Sequence, residues 1–205
     1  MPFNQPEPKY EGKPLSHWVA ETKDKDAVVR VAAATVLGKI GPAATPALME
    51  LLKGKDKRAR VAAASALGQI GAEAKTAVPA LTELLKDKDE RVRDAAARAL
   101  GQVGPEAKTA VPALTKLLND RVGMVRWTAA RALGQIGAEA KTAVPALTEL
   151  LKDEWVRQTA TRALGKIGPE AKTAIPALTE LLKDTDEDLR MTATEALHKI
   201  KKKKK

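Results

Sequence analysis

The chain has 205 residues, 44% of them hydrophobic but only 2% aromatic, so its interior cannot lean on the ring packing that supplies much of an ordinary core. It contains no Cys, which excludes disulfides, zinc–thiolate centres, iron–sulfur clusters and thiol nucleophiles. The net charge of +10 is concentrated at one end: Lys199 and Lys201 to Lys205 hold six of the 36 basic residues, and the other 30 against 26 acidic residues leave a body of only +4.

Residues 1–12 form a polar lead-in without the apolar stretch of a secretory signal. No later segment reaches the roughly 18 apolar residues of a membrane span. A cytoplasmic protein with no membrane association is the expectation.

From residue 13 the chain repeats itself. VPALTELLKDKDERVRDAAARALGQVG at 78–104 returns as VPALTKLLNDRVGMVRWTAARALGQIG at 111–137 and as VPALTELLKDEWVRQTATRALGKIG at 144–168. One glycine marks the register at Gly38, Gly68, Gly101, Gly134 and Gly165, with spacings of 30, 33, 33 and 31 residues. Six copies are expected, approximately 13–41, 42–71, 72–104, 105–137, 138–168 and 169–200. The tail 201–205 follows.

Each copy carries two helical patterns. In the third, Val78, Leu81, Leu84 and Leu85 share one face of a first helix, with Pro79 in its first turn, where a missing N–H costs little. Val92, Ala96, Ala99, Leu100 and Val103 make the apolar stripe of a second helix. Gly104 follows where a left-handed cap is needed. Gly101 falls inside this helix at a cost of about 1 kcal/mol against Ala; its recurrence implies close helix approach or an earlier helix end. A lone pair of this kind cannot bury its stripe, whereas stacked pairs can. The end copies are altered as caps: Trp18 replaces the repeated Leu, and His198 and Lys201 stand where glycines stood. The fifth copy is two residues short, and Trp155 is expected to fill the gap.

The phrase from the ladder Asp through VRxAAAxALGxIG and PEAKxAVPAL resembles the HEAT-like repeats first named for phycobilisome lyase subunits, over residues 13–200. The resemblance implies an all-α solenoid of about six helix pairs in a right-handed superhelix, with the second helices on the concave side. It also implies an Asp–Arg ladder from copy to copy. The matching arginines are Arg30, Arg60, Arg93, Arg126, Arg157 and Arg190, and the matching acids are Asp24, Asp87, Asp120, Asp153 and Asp184. Gly54 interrupts the acidic series in the second copy. Most members of the family are protein-binding adaptors. A few are enzymes, and the diiron branch needs several His-Glu pairs, whereas His17 and His198 here precede no Glu.

Other chemistry is weakly signalled. Lys172-Thr173, repeated at Lys75-Thr76, Lys108-Thr109 and Lys141-Thr142, lacks the glycine and strand of a phosphate loop; the threonines read as helix N-caps. Asp184, Asp186, Asp188 and Glu195 have calcium-loop spacing, but Leu189 stands where the loop needs Gly. No catalytic set can be assembled. No enzyme activity, cofactor or metal is expected.

The variable positions carry more. Opposite the apolar stripe, the residue after the ladder Arg reads Val31, Val61, Asp94, Trp127, Gln158 and Met191. Four residues on come Thr35, Ser65, Arg98, Arg131, Arg162 and Glu195. Eight on come Lys39, Gln69, Gln102, Gln135, Lys166 and Lys199. A Trp among arginines has interface composition and suits an acidic or amphipathic protein segment. The other reading makes the arginines copies of one surface residue, with Trp127 packed on a neighbouring copy. The candidate stripe is Asp94, Arg98, Trp127, Arg131, Gln135, Gln158, Arg162 and Lys166. The lysine tail offers an alternative, polyanion or nucleic-acid binding by counterion release, although it has no interleaved aromatic for base stacking. An accessory role beside a lyase-type enzyme is a third reading. Polar ends favour a monomer.

Overall fold

The structure, a computed structural model, describes residues 7–202. Among these, twelve α-helices form six pairs. The first helices are α1 Leu15–Glu21, α3 Thr45–Leu52, α5 Val78–Leu84, α7 Val111–Leu117, α9 Val144–Glu149 and α11 Ile175–Glu180. The second helices are α2 Ala27–Ile40, α4 Lys57–Ile70, α6 Glu90–Val103, α8 Gly123–Ile136, α10 Arg157–Ile167 and α12 Glu187–Lys201. Each second helix packs on its own first helix and on the second helix of the next pair, which makes an all-α solenoid.

The interior is aliphatic, as the composition requires. Val92, Ala96, Ala99, Leu100 and Val103 of α6 are all buried. A continuous cluster of Ala, Leu, Val and Ile runs from Trp18 to Ile200. The recurring glycine is explained by close approach, because α6 runs past Gly101 to Val103. A Cβ added to Gly101 would lie 2.9 Å from Ala132 Cα, and one on Gly134 would lie 2.8 Å from Ala163 Cα. Any side chain there pushes two backbones apart.

The linkers correct one expectation. Thr76, Thr109, Thr142 and Thr173 do not cap the first helices. Ala77, Ala110, Ala143 and Ala174 hold the cap positions without a side-chain hydrogen bond. A short 3₁₀ segment such as Gly71–Ala77 leads straight into the helix, and Val78 N–H donates to the Lys75 carbonyl. The first helix is thus wound on from the preceding turn and needs no side-chain acceptor. Four second helices start differently: Asp26, Asp56, Asp89 and Asp186 accept from N–H groups of their first turns, whereas α8 and α10 begin after Val122 and Val156 without a side-chain cap.

Trp155 is also placed otherwise than expected. It is 61% exposed, and the buried Val156 beside it holds the core position that Val92 and Val125 hold in earlier copies. The two missing residues are absorbed by a shorter helix: α10 has 11 residues where α4, α6 and α8 have 14.

The two end copies of the described stack differ from the internal ones. Strands β1 Lys9–Tyr10 and β2 Lys13–Pro14 form an antiparallel hairpin that joins the lead-in to the start of the first copy. Its turn uses positive φ at Glu11 and Gly12, the backbone that two-residue hairpins favour. Tyr10 meets Trp18 edge-on at 6.4 Å and accepts a hydrogen bond from Lys39 Nζ at 3.0 Å. At the far end, exposed His198 occupies the register of the close-approach glycine, so another second helix stacked there would strike an imidazole.

Candidate functional site

The turns between paired helices fix the second-helix face. Arg60 reaches Asp87 of the following copy at 3.0 Å, Arg93 reaches Asp120 at 2.8 Å, Arg126 reaches Asp153 at 2.9 Å and Arg157 reaches Asp184 at 2.7 Å. Arg93 binds both carboxylate oxygens, through Nε and Nη2. The same guanidinium clamps its own turn: Arg93 Nη1 donates to the Asp87 and Lys88 carbonyls, and Arg60 Nη1 to those of Gly54 and Lys55. Where Gly54 interrupts the series, Asp56 takes the Arg30 guanidinium instead. Asp24 in the first copy and Arg190 in the last have no partner in another copy among the described residues. Arg190 donates to the Asp184 and Thr185 carbonyls, and Asp24 accepts from Asp26 N–H.

Two of these acids are shifted. Partial burial pushes the Asp120 carboxyl up, but hydrogen bonds from Arg93 and Val122 N–H, with the Arg93 charge, outweigh it and hold the group below its ordinary value. Asp56 is held down likewise, with burial opposed by Arg30 and by the N–H groups of Arg58 and Ala59.

The calcium-like spacing resolves into the same architecture. Asp184 is the last rung, Asp186 caps α12, and Glu195 pairs with Lys199 at 2.6 Å. Among the described residues no group of acids and histidines is arranged to hold a metal ion.

On the second-helix face the three registered arginines have different surroundings. Asp94 pairs with Arg98 at 2.8 Å and accepts from Thr128 of the next copy. The Arg131 guanidinium stands 5.4 Å from the ring centre of half-buried Trp127, a cation–π contact. Arg162 is exposed, and its charge acts on Glu195. The outer row has a packing role: the Gln135 side chain lies over Gly101, and that of Lys166 over Gly134. Gln158 is half-buried. Lys201 ends α12 and Lys202 follows it, while Lys203 to Lys205 of the expected polyanion-binding tail lie outside the described residues.

One row escaped sequence reasoning. Two residues before the first five ladder arginines stand Val28, Arg58, Arg91, Met124 and Trp155, all exposed. A groove of about 460 Å³ joins Arg58 and Arg91 to Val31 and Val61. Another of about 320 Å³ joins Arg91 and Met124 to Val61, Ser65, Asp94 and Arg98. The row therefore borders the candidate stripe. The ladder Arg fixes the register and so signals this row, but the position lies next to the turn and reads as part of it.

No helix among the described residues is long and apolar enough to cross a membrane. Comparison with curated protein sequences returns no match. Among solved structures, an engineered protein from the Northeast Structural Genomics Consortium is similar, at 30% identity and a TM-score of 0.72, with 91% of this chain and 96% of that one covered. The complex of CpcE and CpcF of phycocyanin lyase from Nostoc sp. PCC7120 is similar at 29% identity and 0.65, covering 96% and 79%. An archaeal HEAT-like repeats protein from Thermococcus onnurineus NA1 shares the fold at 15% identity and 0.62, covering 91% and 86%. A sequence profile for HEAT repeats matches residues 15–88, 78–155 and 145–205. With helix pairs, rungs and glycine contacts recurring over the same span, the chain belongs to the HEAT-repeat family.

Proposed function

We propose that the chain is a non-catalytic binding scaffold whose second-helix face, the concave one by family resemblance, holds a protein or peptide over the third to fifth copies. The observation that supports this most is the Trp127–Arg131 pair: a half-buried ring with a guanidinium set over it, amid the polar side chains of the third to fifth copies. Trp and Arg are the residues that dominate interface energetics when a partner desolvates them. Asp94, Arg98, Gln135, Gln158, Arg162 and Lys166 surround the pair as its polar rim, and an acidic or amphipathic segment complements them. The CpcE–CpcF complex is a neighbour that assembles with another protein chain, which adds support. The scaffold is proposed to act as a monomer in the cytoplasm, without a cofactor.

A pull-down from nuclease-treated lysate tests this with the intact chain, a Lys201–Lys205 deletion and the Trp127→Ala/Arg131→Glu variant as baits. A protein kept by the first two and lost by the third is expected. Retention that follows only the tail would sink the reading in favour of a polyanion contact.

A further inference from the structure

We propose that the row Val28, Arg58, Arg91, Met124 and Trp155 is the seat of an extended, polyproline-II-like peptide carrying acidic and then large apolar side chains at three-residue spacing. This rests on the reading of the second-helix face as a binding surface and names the chemistry of its occupant.

Exposed apolar surface is concentrated here. Of the five large hydrophobic side chains exposed among the described residues, Val28 (68%), Met124 (47%) and Trp155 (61%) share this one register. Exposed apolar groups gathered in one line mark an interaction surface more strongly than scattered ones. Trp155 is also held in place. A Cβ on Gly123 would lie 3.1 Å from its ring and 3.7 Å from Arg126 Nη2. The indole is therefore seated where α8 begins without a side chain, and its other face is left to solvent. A preset ring loses little freedom on binding.

Between the apolar members lie two cations. The Arg58 and Arg91 side chains have no carboxylate within ion-pair reach among the described residues, while neighbouring Lys57 is tied to Asp89 at 2.7 Å. Planar guanidinium groups beside grooves are suited to bidentate capture of carboxylates. Asp188 stands in this register in the sixth copy, and its charge repels acidic groups there. The acidic part of the peptide accordingly lies over the second and third copies and the apolar part over the fourth and fifth.

Spacing selects the backbone. Packed helices lie about 8–10 Å apart. Polyproline II returns a side chain to the same side every three residues, after about 9 Å. A β-strand returns every two, after about 6.7 Å, and drifts out of register within two copies. An α-helix returns after seven, about 10.5 Å, and overshoots.

The test uses fluorescein-labelled peptides and the full chain, read by anisotropy. The probes are Glu-Pro-Ser-Glu-Pro-Ser-Leu-Pro-Ser-Leu, the same sequence reversed, and a scrambled version without three-residue spacing. One ordered peptide is expected to bind at least about tenfold tighter than the scrambled one. Arg58→Glu/Arg91→Glu and Trp155→Ala should each weaken it about tenfold with unchanged helical circular dichroism. Equal binding of ordered and scrambled peptides, no binding up to about 1 mM, or indifference to both variants overturns the proposal. If Trp127→Ala/Arg131→Glu still loses its protein partner in that case, the face is a binding surface and only this row falls. If the peptides bind through the row while that variant keeps every partner, the row stands and the Trp127 centre falls.

Discussion

Asp56 binds the Arg30 guanidinium of the preceding copy while capping α4 through the Arg58 N–H. One copy later the two tasks are divided, with Asp87 taking Arg60 and Asp89 capping α6. Asp56→Asn should keep the cap and lose the ion pair, costing about 0.5–1 kcal/mol after solvent screening. Asp56→Ala should lose both, costing about 2 kcal/mol. Gly54→Asp in the Asn background should restore most of the pair, since its Cβ meets only the Leu51 carbonyl at 3.2 Å. Urea denaturation of the four proteins checks the order.

Gly101→Ala sets helix propensity against sterics. Propensity favours Ala by about 1 kcal/mol, but the new Cβ would stand 2.9 Å from a backbone atom of α8. Overpacking of this kind costs about 1–3 kcal/mol, so a net loss of about 1 kcal/mol is expected. A melting temperature above the parent's would show that the helices can separate freely.

Thr45 holds the register of Val78 and is buried, with no hydrogen-bond partner for its hydroxyl among the described residues. An unsatisfied buried hydroxyl costs about 1–3 kcal/mol. Thr45→Val is expected to stabilise the chain by about 1 kcal/mol and raise its melting temperature by about 2–4 °C, measured by circular dichroism.

The lowered carboxyls set an acid limit. A group whose folded pKa lies below its unfolded one contributes stability above the unfolded value, near 3.9 for Asp, and loses it as pH falls through the folded value. Asp56 and Asp120 have this sign. Melting temperature should stay level from about pH 7 to 5 and fall below about pH 4. Asp120→Asn should melt lower at neutral pH and show a shallower acid decline.

The architecture was legible because each copy repeats the same apolar spacing, and the self-similarity of 78–104 with 111–137 puts Gly101 and Gly134 in equivalent places from residue order alone. Departures arose where one copy breaks the pattern. Asp56 does its second task two positions away from the aligned one. Trp155 sits at a deletion whose strain is taken up in helix length, which side-chain identity does not encode. The Lys9–Pro14 hairpin has strands of two residues each, too short to leave a periodicity. On the second-helix face, the candidate stripe through Trp127 was visible as variation at fixed offsets after Arg126. The row before it was hidden because its positions adjoin the turn.

His198 gives the last copy a surface unlike that of any internal junction. A seventh copy placed after Ile200 would meet a side chain where every internal junction has a bare Cα, and one placed before Leu15 would have to displace Tyr10 from Trp18. By contrast, a unit spliced between Gly101 and Gly134 reproduces both the glycine junction and the Arg–Asp rung on each side. The middle of the scaffold behaves like a rod of interchangeable sections, each bringing its own joint.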